Sequence, residues 1–417
     1  MKRGEGGTTL LLALNIFLLL FAYYLLKVTR EPLILRHGAD FKTYASSFQA
    51  ITLMPALIGF AWASQHVPRV KLIGLSTMVI SSMLLVFYWL VRVDSPWAGP
   101  AFFVFVGVMN AFVVSQFWAF ANDLFNEEQG IRLFGLIGVG SSLGALLGPL
   151  AAKQLFNEAD PGFLMLPAAF LIVLAFVVTL LVHKRSKVVH LGAGRSAEEP
   201  LAKERFFGLG KILSNGYFGA IALLVLVYNT VNTLGENIKD RTILAANHGG
   251  HQDAYVAEFS SNFFLYVNGL ALILQLFFVS RFLRVLKVHR ALYVMPLISL
   301  ISYSSMGLSV VLPVILWAKV AENAADYSIQ TTTRQALFLV APREAKYKVK
   351  TAIDTFFMRL GDVFAGALLF VATTFFDFGR TSLVVTNLAL IGVWLLLARR
   401  VGNTYKTLQH QETGAAT

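Results

Sequence analysis

The chain has no cysteine and little charge for its length. Of its 417 residues, 14% are Asp, Glu, Lys or Arg, whereas 56% are hydrophobic. The lack of cysteine excludes disulfide bonds, thiolate metal sites and thiol catalysis. The low charge argues against an ordinary soluble domain, because such a domain needs more polar surface to cover its core. The low charge and the high hydrophobic content indicate a chain that keeps much of its surface in an apolar environment.

The charge that is present is mostly positive, and the formal net charge is +12. Lys and Arg occur in short tracts between long apolar runs, which is typical of the ends of membrane spans and not of a nucleic-acid surface. The first apolar run begins at Thr8 and lacks a convincing small-residue cleavage site. We therefore interpret it as a retained first span and not as a signal peptide.

Twelve apolar runs follow one another along the chain, and a membrane span needs roughly 20 such residues. They lie near residues 8–36, 44–65, 71–93, 99–122, 133–157, 162–182, 214–244, 257–280, 291–311, 312–341, 351–376 and 379–398. The sequence therefore predicts an all-α polytopic membrane protein with twelve transmembrane helices in two pseudo-symmetric six-helix halves. The predicted divisions are an N-terminal half at 1–182, a linker at 183–213, a C-terminal half at 214–400 and a tail at 401–417.

The distribution of cations predicts the orientation of these spans. On this map 23 of the 35 Lys and Arg residues fall on the termini and the even-to-odd loops, six lie on the opposite side and six lie within spans. By the positive-inside rule both termini are cytoplasmic, and we expect a multi-pass protein of the inner membrane. The linker is rich in Lys and Arg, and it is interpreted either as an amphipathic surface segment or as a disordered tether.

Weak internal repeats favour a duplicated six-helix unit. Residues 64–71 after span 2 resemble residues 280–287 after span 8, and both stretches begin with Ser and end with Lys. Tyr23 and Glu31 in span 1 have the same spacing as Tyr228 and Glu236 in span 7. Two such halves around a central cavity are the major facilitator arrangement.

Span 10 has polar residues every three or four positions, a spacing that places them on one face of a helix. They are Lys319, Glu322, Asn323, Asp326, Gln330 and Arg334. Charges inside spans are costly and usually line a cavity or a path. The alternative interpretation is a stripe of ion pairs that only hold helices together.

Smaller polar sets occur in three other spans. They are Asn229, Asn232, Glu236 and Lys239 in span 7, Tyr23, Tyr24, Lys27, Arg30 and Glu31 in span 1, and Arg359 and Asp362 in span 11. Arg359 and Asp362 are three residues apart, so we expect them to pair. Lys27 follows an uncharged run from Thr8 to Leu26, and it lies either in the cavity or at the outer interface.

No enzymatic motif accompanies these charges. The glycines at 140, 144 and 148 are spaced for close helix packing, and no phosphate-loop Lys-Ser or Lys-Thr follows them. His248 and His251 are three apart but have no further ligand close by. The sequence thus predicts no catalytic residue, no metal site and no cofactor.

The intramembrane cations predict an anionic solute, because guanidinium groups suit phosphate and carboxylate. In this interpretation Tyr23, Tyr24, Lys27, Arg30, Asn229, Asn232, Glu236, Lys239, Lys319, Asn323, Asp326, Arg334 and Arg359 bind the substrate. Glu31, Glu322 and Asp362 would pair with the cations or couple transport to protons. The spacing of the residues does not separate these two roles.

Residues 333–342, TRQALFLVAP, and 348–354, KVKTAID, lie at the junction of spans 10 and 11. They resemble the Thr-Lys-Glu-Met, Ile-Pro and Val-Lys-Gly-Lys-Ala-Ala-Ile-Asp segments of the ATP/ADP translocase family of plastids and obligate intracellular bacteria. Residues 117–122, FWAFAN, and 133–138, LFGLIG, resemble its Phe-Trp-Gly-Phe-Ala-Asn and Leu-Phe-Gly-Leu-Gly. Residues 26–31, LKVTRE, resemble its Leu-Arg-Asp-Thr-Lys-Asp in the first helix.

The resemblance implies a role for some of the same residues. The family's essential lysine in its first helix falls on Arg30, and the lysine of Thr-Lys-Glu-Met falls on Arg334. Its acidic residue in helix 7 falls on or next to Glu236, whereas its acidic residue in helix 4 has no counterpart here. The resemblance implies nucleotide-like transport and not ATP/ADP exchange in particular.

The sequence as a whole favours a secondary transporter that exchanges a phosphorylated anion, a nucleotide, by alternating access. The alternatives are a proton-coupled carrier of another organic anion or a lipid-like amphipath, and a non-transporting membrane scaffold or receptor. The expected partners are the small anionic substrate, with ATP binding as the nucleotide case, and the lipid bilayer. We expect a monomer that binds no nucleic acid.

Overall fold

The computed structural model describes residues 5–125, 127–189, 214–247, 250–341 and 349–414, together with Ile212. Within these ranges the chain is helical and contains no strand. The helices are α1 Glu5–Leu35, α2 Ala39–His66, α3 Arg69–Arg92, α4 Ala98–Leu124, α5 Glu127–Leu155, α6 Met165–Val189, α7 Gly216–Ala246, α8 Gln252–Ile273, α9 Val279–Ala291, α10 Val294–Leu308, α11 Leu312–Ala325, α12 Thr331–Ala336, α13 Met358–Phe375 and α14 Arg380–Gly414. π-Helical turns at Leu274–Phe278, Asp326–Gln330 and Ile353–Phe357 join or precede them.

The helices match the predicted spans in order. Ten helical segments of the described chain are long and apolar enough to cross a membrane, and α9 with α10, bent by 84°, would make an eleventh. The segment Leu312–Ala336 consists of consecutive helical pieces of 14, 5 and 6 residues and corresponds to predicted span 10. The predicted all-α polytopic class is confirmed.

Several predicted ends differ from the structure. α14 continues to Gly414, so residues 401–414 extend the last helix instead of forming a separate tail. α6 continues to Val189 into the predicted linker, and residues 190–211 and 213 of that linker lie outside the described residues. The next helix begins sharply, because the Asn215 side chain accepts hydrogen bonds from the backbone N–H groups of Tyr217 and Phe218 at 3.0 and 3.3 Å.

The structure divides into two compact units. Unit 1 comprises Met1–His37, Thr52–Lys203 and Gly249–Leu265, and unit 2 comprises Gly38–Ile51, Glu204–His248 and Tyr266–Thr417. In unit 2 the most buried span is α7, with 78% of its apolar window inside the protein. It packs against α11, α13 and α14. The polar residues of α7 are therefore placed in the interior of unit 2.

The glycines of α5 face α1 in unit 1. A Cβ atom added at Gly144 would lie 2.6 Å from the carbonyl oxygen of Phe17, and one at Gly148 would lie 2.7 Å from Cβ of Tyr24. These contacts are too short for any side chain, so the glycines allow the two helices to approach closely. The predicted packing role of this run is observed for both residues.

A Gly144→Ala substitution should therefore lower the melting temperature of the purified protein by several degrees. The added methyl group meets backbone, which has to move, and overpacking of this kind costs about 1–3 kcal/mol. Gly138→Ala on the same helix is the matched control, because nothing lies within 4 Å of a Cβ atom there. Equal melting temperatures for the two variants would contradict the packing role.

Candidate functional site

Lys319 is a fully buried lysine of α11 in unit 2. Its Nζ lies 2.5 Å from Glu322 Oε2, three residues along the same helix, and 3.1 Å from Glu236 Oε1 on α7. The Lys319 side chain has 0% exposure and that of Glu322 has 2%. Burying a charge is costly unless it is paired, and here both carboxylates face the lysine.

The ion pairs continue from Glu236 along α7. Glu236 Oε2 lies 2.5 Å from Lys239 Nζ, and Lys239 Nζ lies 3.3 Å from Asp240 Oδ1. Asp240 Oδ2 in turn lies 2.8 Å from Nζ of Lys42, at the start of α2. Three lysines and three carboxylates thus alternate, and we call these six residues the lysine–carboxylate chain. Its formal charges balance.

Neutral groups complete the hydrogen bonds at the Lys319 end of this chain. The Tyr303 hydroxyl lies 2.6 and 2.8 Å from the two Glu322 oxygens, and it accepts a hydrogen bond from Lys319 Nζ at 3.2 Å. Lys319 also donates to Asn232 Oδ1 at 3.4 Å, and Asn323 Nδ2 donates to Glu236 at 3.4 Å. The predicted residues Asn232, Glu236, Lys319 and Asn323 are therefore in mutual contact.

Glu236 is the most accessible member of the lysine–carboxylate chain. Its side chain is 27% exposed, whereas those of Lys239, Asp240 and Lys42 are 5%, 2% and 9% exposed. An anion that approached Lys319 or Lys239 would have to compete with this carboxylate. The lysine–carboxylate chain therefore holds its cations without a ligand, and Lys319 and Lys239 keep Glu322 and Asp240 as partners if Glu236 moves away.

A second polar cluster surrounds Asp362 on α13. Arg359 Nη1 lies 3.2 Å from Asp362 Oδ2, so the expected pair is present. Asn229 Nδ2 and the Thr233 hydroxyl donate to Asp362 Oδ1 at 2.7 and 2.8 Å. Asn229 also donates to the Met358 carbonyl oxygen at 2.7 Å. Its amide group is therefore engaged inside unit 2.

Arg334 lies beyond an irregular turn of span 10. The π-helical turn Asp326–Gln330 lies between Lys319 and Arg334 along the chain, so span 10 is not one regular α-helix. That its polar residues share a single face stays a prediction. Arg334 lies beside Asp354, with Nε 3.2 Å from Oδ1.

The guanidinium group of Arg334 is incompletely satisfied. Its Nε and Nη1 atoms are buried, yet neither has an aligned hydrogen-bond acceptor among the described residues. The Asp354 oxygen beside Nε also lacks an aligned donor within the same ranges. A buried donor without an acceptor is costly, and a guanidinium fork fits two oxygens of a phosphate or carboxylate.

Asp326 has a different partner from the other span carboxylates. The Tyr228 hydroxyl of α7 donates to its Oδ1 at 2.5 Å. Within the described part of the chain, Asp326 forms no ion pair with Lys or Arg. Its carboxylate is therefore held by a neutral hydroxyl group.

The cations of α1 in unit 1 lie against aromatic rings. Lys27 Nζ lies 4.1 Å from the ring centre of Phe264, 5.2 Å from that of Tyr24 and 5.8 Å from that of Tyr23. Its residue exposure is 8%, and α1 continues beyond it to Leu35. Lys27 is therefore buried in a cation–π cage and not exposed at the end of the span.

Arg30 combines a ring contact with an ion pair. Its Cζ lies 4.6 Å from the ring centre of Phe103, and its Nε lies 3.3 Å from Glu31 Oε1. The cations of unit 1 thus have partners inside unit 1, and those of unit 2 have partners inside unit 2. The convergence of the two sets on one central space stays a prediction.

Sequence reasoning missed several partners of these residues. The predicted site residues include none of Lys42, Asp240, Tyr303, Asp354 and Phe264. Asp240 could have been predicted as a partner of a cation, because it directly follows Lys239 in a predicted span. Tyr303 and Phe264 could not have been predicted, since single aromatic residues are common in apolar spans. Across the described residues no group of three or more His, Asp or Glu could hold a metal ion.

A many-span helical protein with charged residues buried in its spans has the architecture of a solute transporter. Comparison with known families is consistent with this class. The sequence profile of the Major Facilitator Superfamily matches residues 8–366. The chain belongs to this superfamily, and it is a membrane transporter.

Named relatives fall within the family that the sequence motifs resemble. The chain is 24% identical over 361 residues to ADP,ATP carrier protein 5 of Rickettsia conorii, which covers 75% of this chain and 70% of that protein. It is 19% identical over 383 residues to ADP,ATP carrier protein 3 of the same organism, which covers 77% and 73%. The resemblance drawn from the motifs is confirmed at this level of similarity.

Solved structures of transporters share the fold. The nucleoside transporter NupG has a TM-score of 0.65 at 11% identity, covering 96% of this chain and 98% of that one. A bacterial homolog of the human lysosomal transporter Spinster has a TM-score of 0.66 at 14% identity, covering 98% and 99%. The peptide transporter POT in complex with sulfate has a TM-score of 0.68 at 13% identity, covering 95% of each chain. At these identities the likeness concerns the fold alone.

Proposed function

We propose that this transporter carries a phosphorylated anion of the nucleotide class and exchanges one nucleotide for another by alternating access. The observation that supports the anion is Arg334, whose buried Nε and Nη1 have no aligned acceptor among the described residues. Two phosphate oxygens are the partners that such a fork accepts best. The names of the relatives, which are ADP,ATP carriers, support the nucleotide.

The charge pattern of unit 2 bears on the mode of transport. An empty site with bare cations would reorient poorly and so favour exchange, whereas carboxylates that pair with the cations would allow net transport. In the structure carboxylates already neutralise Lys239, Lys319 and Arg359. The proposal of exchange therefore rests on the relatives and on Arg334, and we expect return of the empty carrier to be slow instead of absent.

Reconstituted vesicles test both parts of the proposal. Vesicles preloaded with unlabelled ATP should take up labelled ATP several times faster than empty vesicles, because a loaded carrier returns with its cations satisfied. Protein-free vesicles with the same preload are the control. Equal rates with and without preload would rule out exchange, and uptake of no nucleotide at all would remove the substrate assignment.

A proton-coupled carrier is the second candidate, and Asp326 is the observation that favours it. This carboxylate has a tyrosine hydroxyl as its partner in place of a cation, so it can gain a proton without breaking an ion pair. Under this candidate an inward proton gradient alone should drive accumulation of the anion in unloaded vesicles. An Asp326→Asn variant should lose that response while it retains exchange between equal pH values.

We also propose that both termini are cytoplasmic and that the protein resides in the inner membrane, based on the distribution of cations. The excess of 23 Lys and Arg on one side over six on the other predicts this orientation. A tag on either terminus should react with a membrane-impermeant label only after the cells are opened. Labelling of a terminus in intact cells would overturn the proposed topology.

A further inference from the structure

Unit 2 carries a strongly basic exposed surface. Four exposed cations lie on α9 and three lie on the last part of α14. They are Arg281, Arg284, Lys287, Arg290, Arg399, Arg400 and Lys406. We call these seven residues the basic surface.

Close packing joins the two helices of the basic surface. A Cβ atom added at Gly402 of α14 would lie 3.0 Å from the carbonyl oxygen of His289 on α9. Lys287, whose φ of 58° interrupts α9, and Arg290 flank His289 along the chain, and Arg399, Arg400 and Lys406 lie within four residues of Gly402. The cations of the two helices therefore meet at this contact, and Arg281 and Arg284 lie on the part of α9 before the break.

No acidic residue lies among the cations of this surface along the chain. Residues 279–291 and 393–409 contain neither Asp nor Glu. None of the seven cations forms an ion pair with a carboxylate of the described part of the chain, in contrast to the lysines of the lysine–carboxylate chain. The surface therefore presents uncompensated positive charge to an external partner.

Apolar residues border the basic surface on the side of the spans. Leu276, Phe277 and Phe278 precede Arg281 and are 63%, 58% and 56% exposed. On α14, Leu396 is 68% exposed and precedes Arg399 by three residues. Each helix thus changes from exposed apolar side chains to exposed cations within about one turn. An anionic phospholipid has the same order of groups, because its apolar acyl chains are followed by a negatively charged headgroup.

We propose that the basic surface binds the headgroups of anionic phospholipids, with the acyl chains lying along the apolar border formed by Leu276, Phe277, Phe278 and Leu396. Each Lys or Arg near an anionic membrane surface contributes on the order of 1 kcal/mol to the attraction. A soluble phosphate compound would gain nothing from the apolar border. α9 also packs against α12, the helix that carries Arg334, so lipid binding is measured directly and without transport, which keeps this proposal separate from the proposed nucleotide contact.

Lipid binding is measured on the full-length purified protein by native mass spectrometry and by thermal shift, with phosphatidylglycerol or phosphatidylcholine added. Phosphatidylglycerol should bind and raise the melting temperature, and phosphatidylcholine should not. The test variant combines Arg281→Gln, Arg284→Gln and Arg399→Gln. It should bind phosphatidylglycerol at least about tenfold more weakly and should keep its melting temperature in phosphatidylcholine, because all three residues are exposed.

Two control variants make the result specific. The first combines Lys71→Gln, Lys184→Gln and Arg185→Gln, which removes the same charge from exposed residues of unit 1, and it should bind as the original protein does. The second replaces Arg281, Arg284 and Arg399 with Lys and should retain most of the binding. Equal loss in the unit 1 control, or no loss in the test variant, would overturn the proposal. Full displacement of the lipid by soluble glycerol phosphate would overturn it in favour of a site for soluble anions.

Discussion

A Lys319→Met variant is expected to lose about 3–5 kcal/mol of stability, which is the usual cost of removing one partner from a buried ion pair. Its Nζ lies 2.5 Å from Glu322 and 3.1 Å from Glu236. Without the lysine, Glu322 would remain as a charge at 2% side-chain exposure, and in a membrane span no bulk water can replace the lost partner. Melting curves of the purified protein in detergent measure the effect.

The double variant Lys319→Met with Glu322→Gln should recover a large part of that loss, because it removes both charges and keeps an amide to bond with Tyr303. Lys153→Met is the matched control, since Lys153 pairs with Glu258 at 3.1 Å while its side chain is 34% exposed. That change should cost less than about 1 kcal/mol. A Lys319→Met protein as stable as the Lys153→Met protein would mean that the buried pair adds nothing to stability.

The spans could be predicted from the sequence because hydrophobic length is a local property. The predicted ends of the spans differ from the ends of the helices mainly where a helix continues past its apolar stretch. α14 does so, because it continues beyond the last predicted span to Gly414. A helix that leaves the membrane can continue in water on the strength of its backbone hydrogen bonds. Apolar length alone marks where a span ends and not where its helix does.

Ion pairs within one helix were also accessible to sequence reasoning. Lys319 with Glu322, Glu236 with Lys239 and Arg359 with Asp362 are each three residues apart, a spacing that makes side chains neighbours on a helix. Partners from other helices, such as Lys42 and Tyr303, depend on how helices pack. Local spacing has no information about that packing.

The ion pairs of unit 2 bear on the alternative interpretation of span 10, in which its polar residues only hold helices together. Lys239, Lys319 and Arg359 have carboxylate partners on their own helices. The pairs Lys319–Glu236 and Lys42–Asp240 join neighbouring helices, so ion pairs that hold helices together explain part of the pattern. The π-helical turn at Asp326–Gln330 separates Arg334 from these pairs. No periodicity rule applied to the sequence would have placed that turn.

Arg334→Ala is expected to abolish nucleotide uptake while the protein stays folded. Arg334 has two buried nitrogens without aligned acceptors among the described residues, so its removal breaks no hydrogen bond seen in the structure at those atoms. A phosphate held by a guanidinium fork would lose both of its bonds. Arg334→Lys should keep part of the uptake with a raised KM, because the charge remains but the fork is lost. Uptake of labelled ATP at matched amounts of protein measures both changes.

Asp354→Asn separates a substrate contact from a structural pair. Asp354 Oδ1 lies 3.2 Å from Arg334 Nε, so if Arg334 acted only by holding Asp354, this variant should lose as much uptake as Arg334→Ala. If Arg334 instead holds phosphate, freeing it from the carboxylate should leave uptake in place and lower KM. Arg92→Ala, at an exposed arginine at the end of α3, is the control and should change neither parameter. Unaltered uptake by the Arg334→Ala protein would mean that Arg334 serves helix packing and does not bind substrate, because a residue that contacts the transported phosphate cannot be dispensable for its transport.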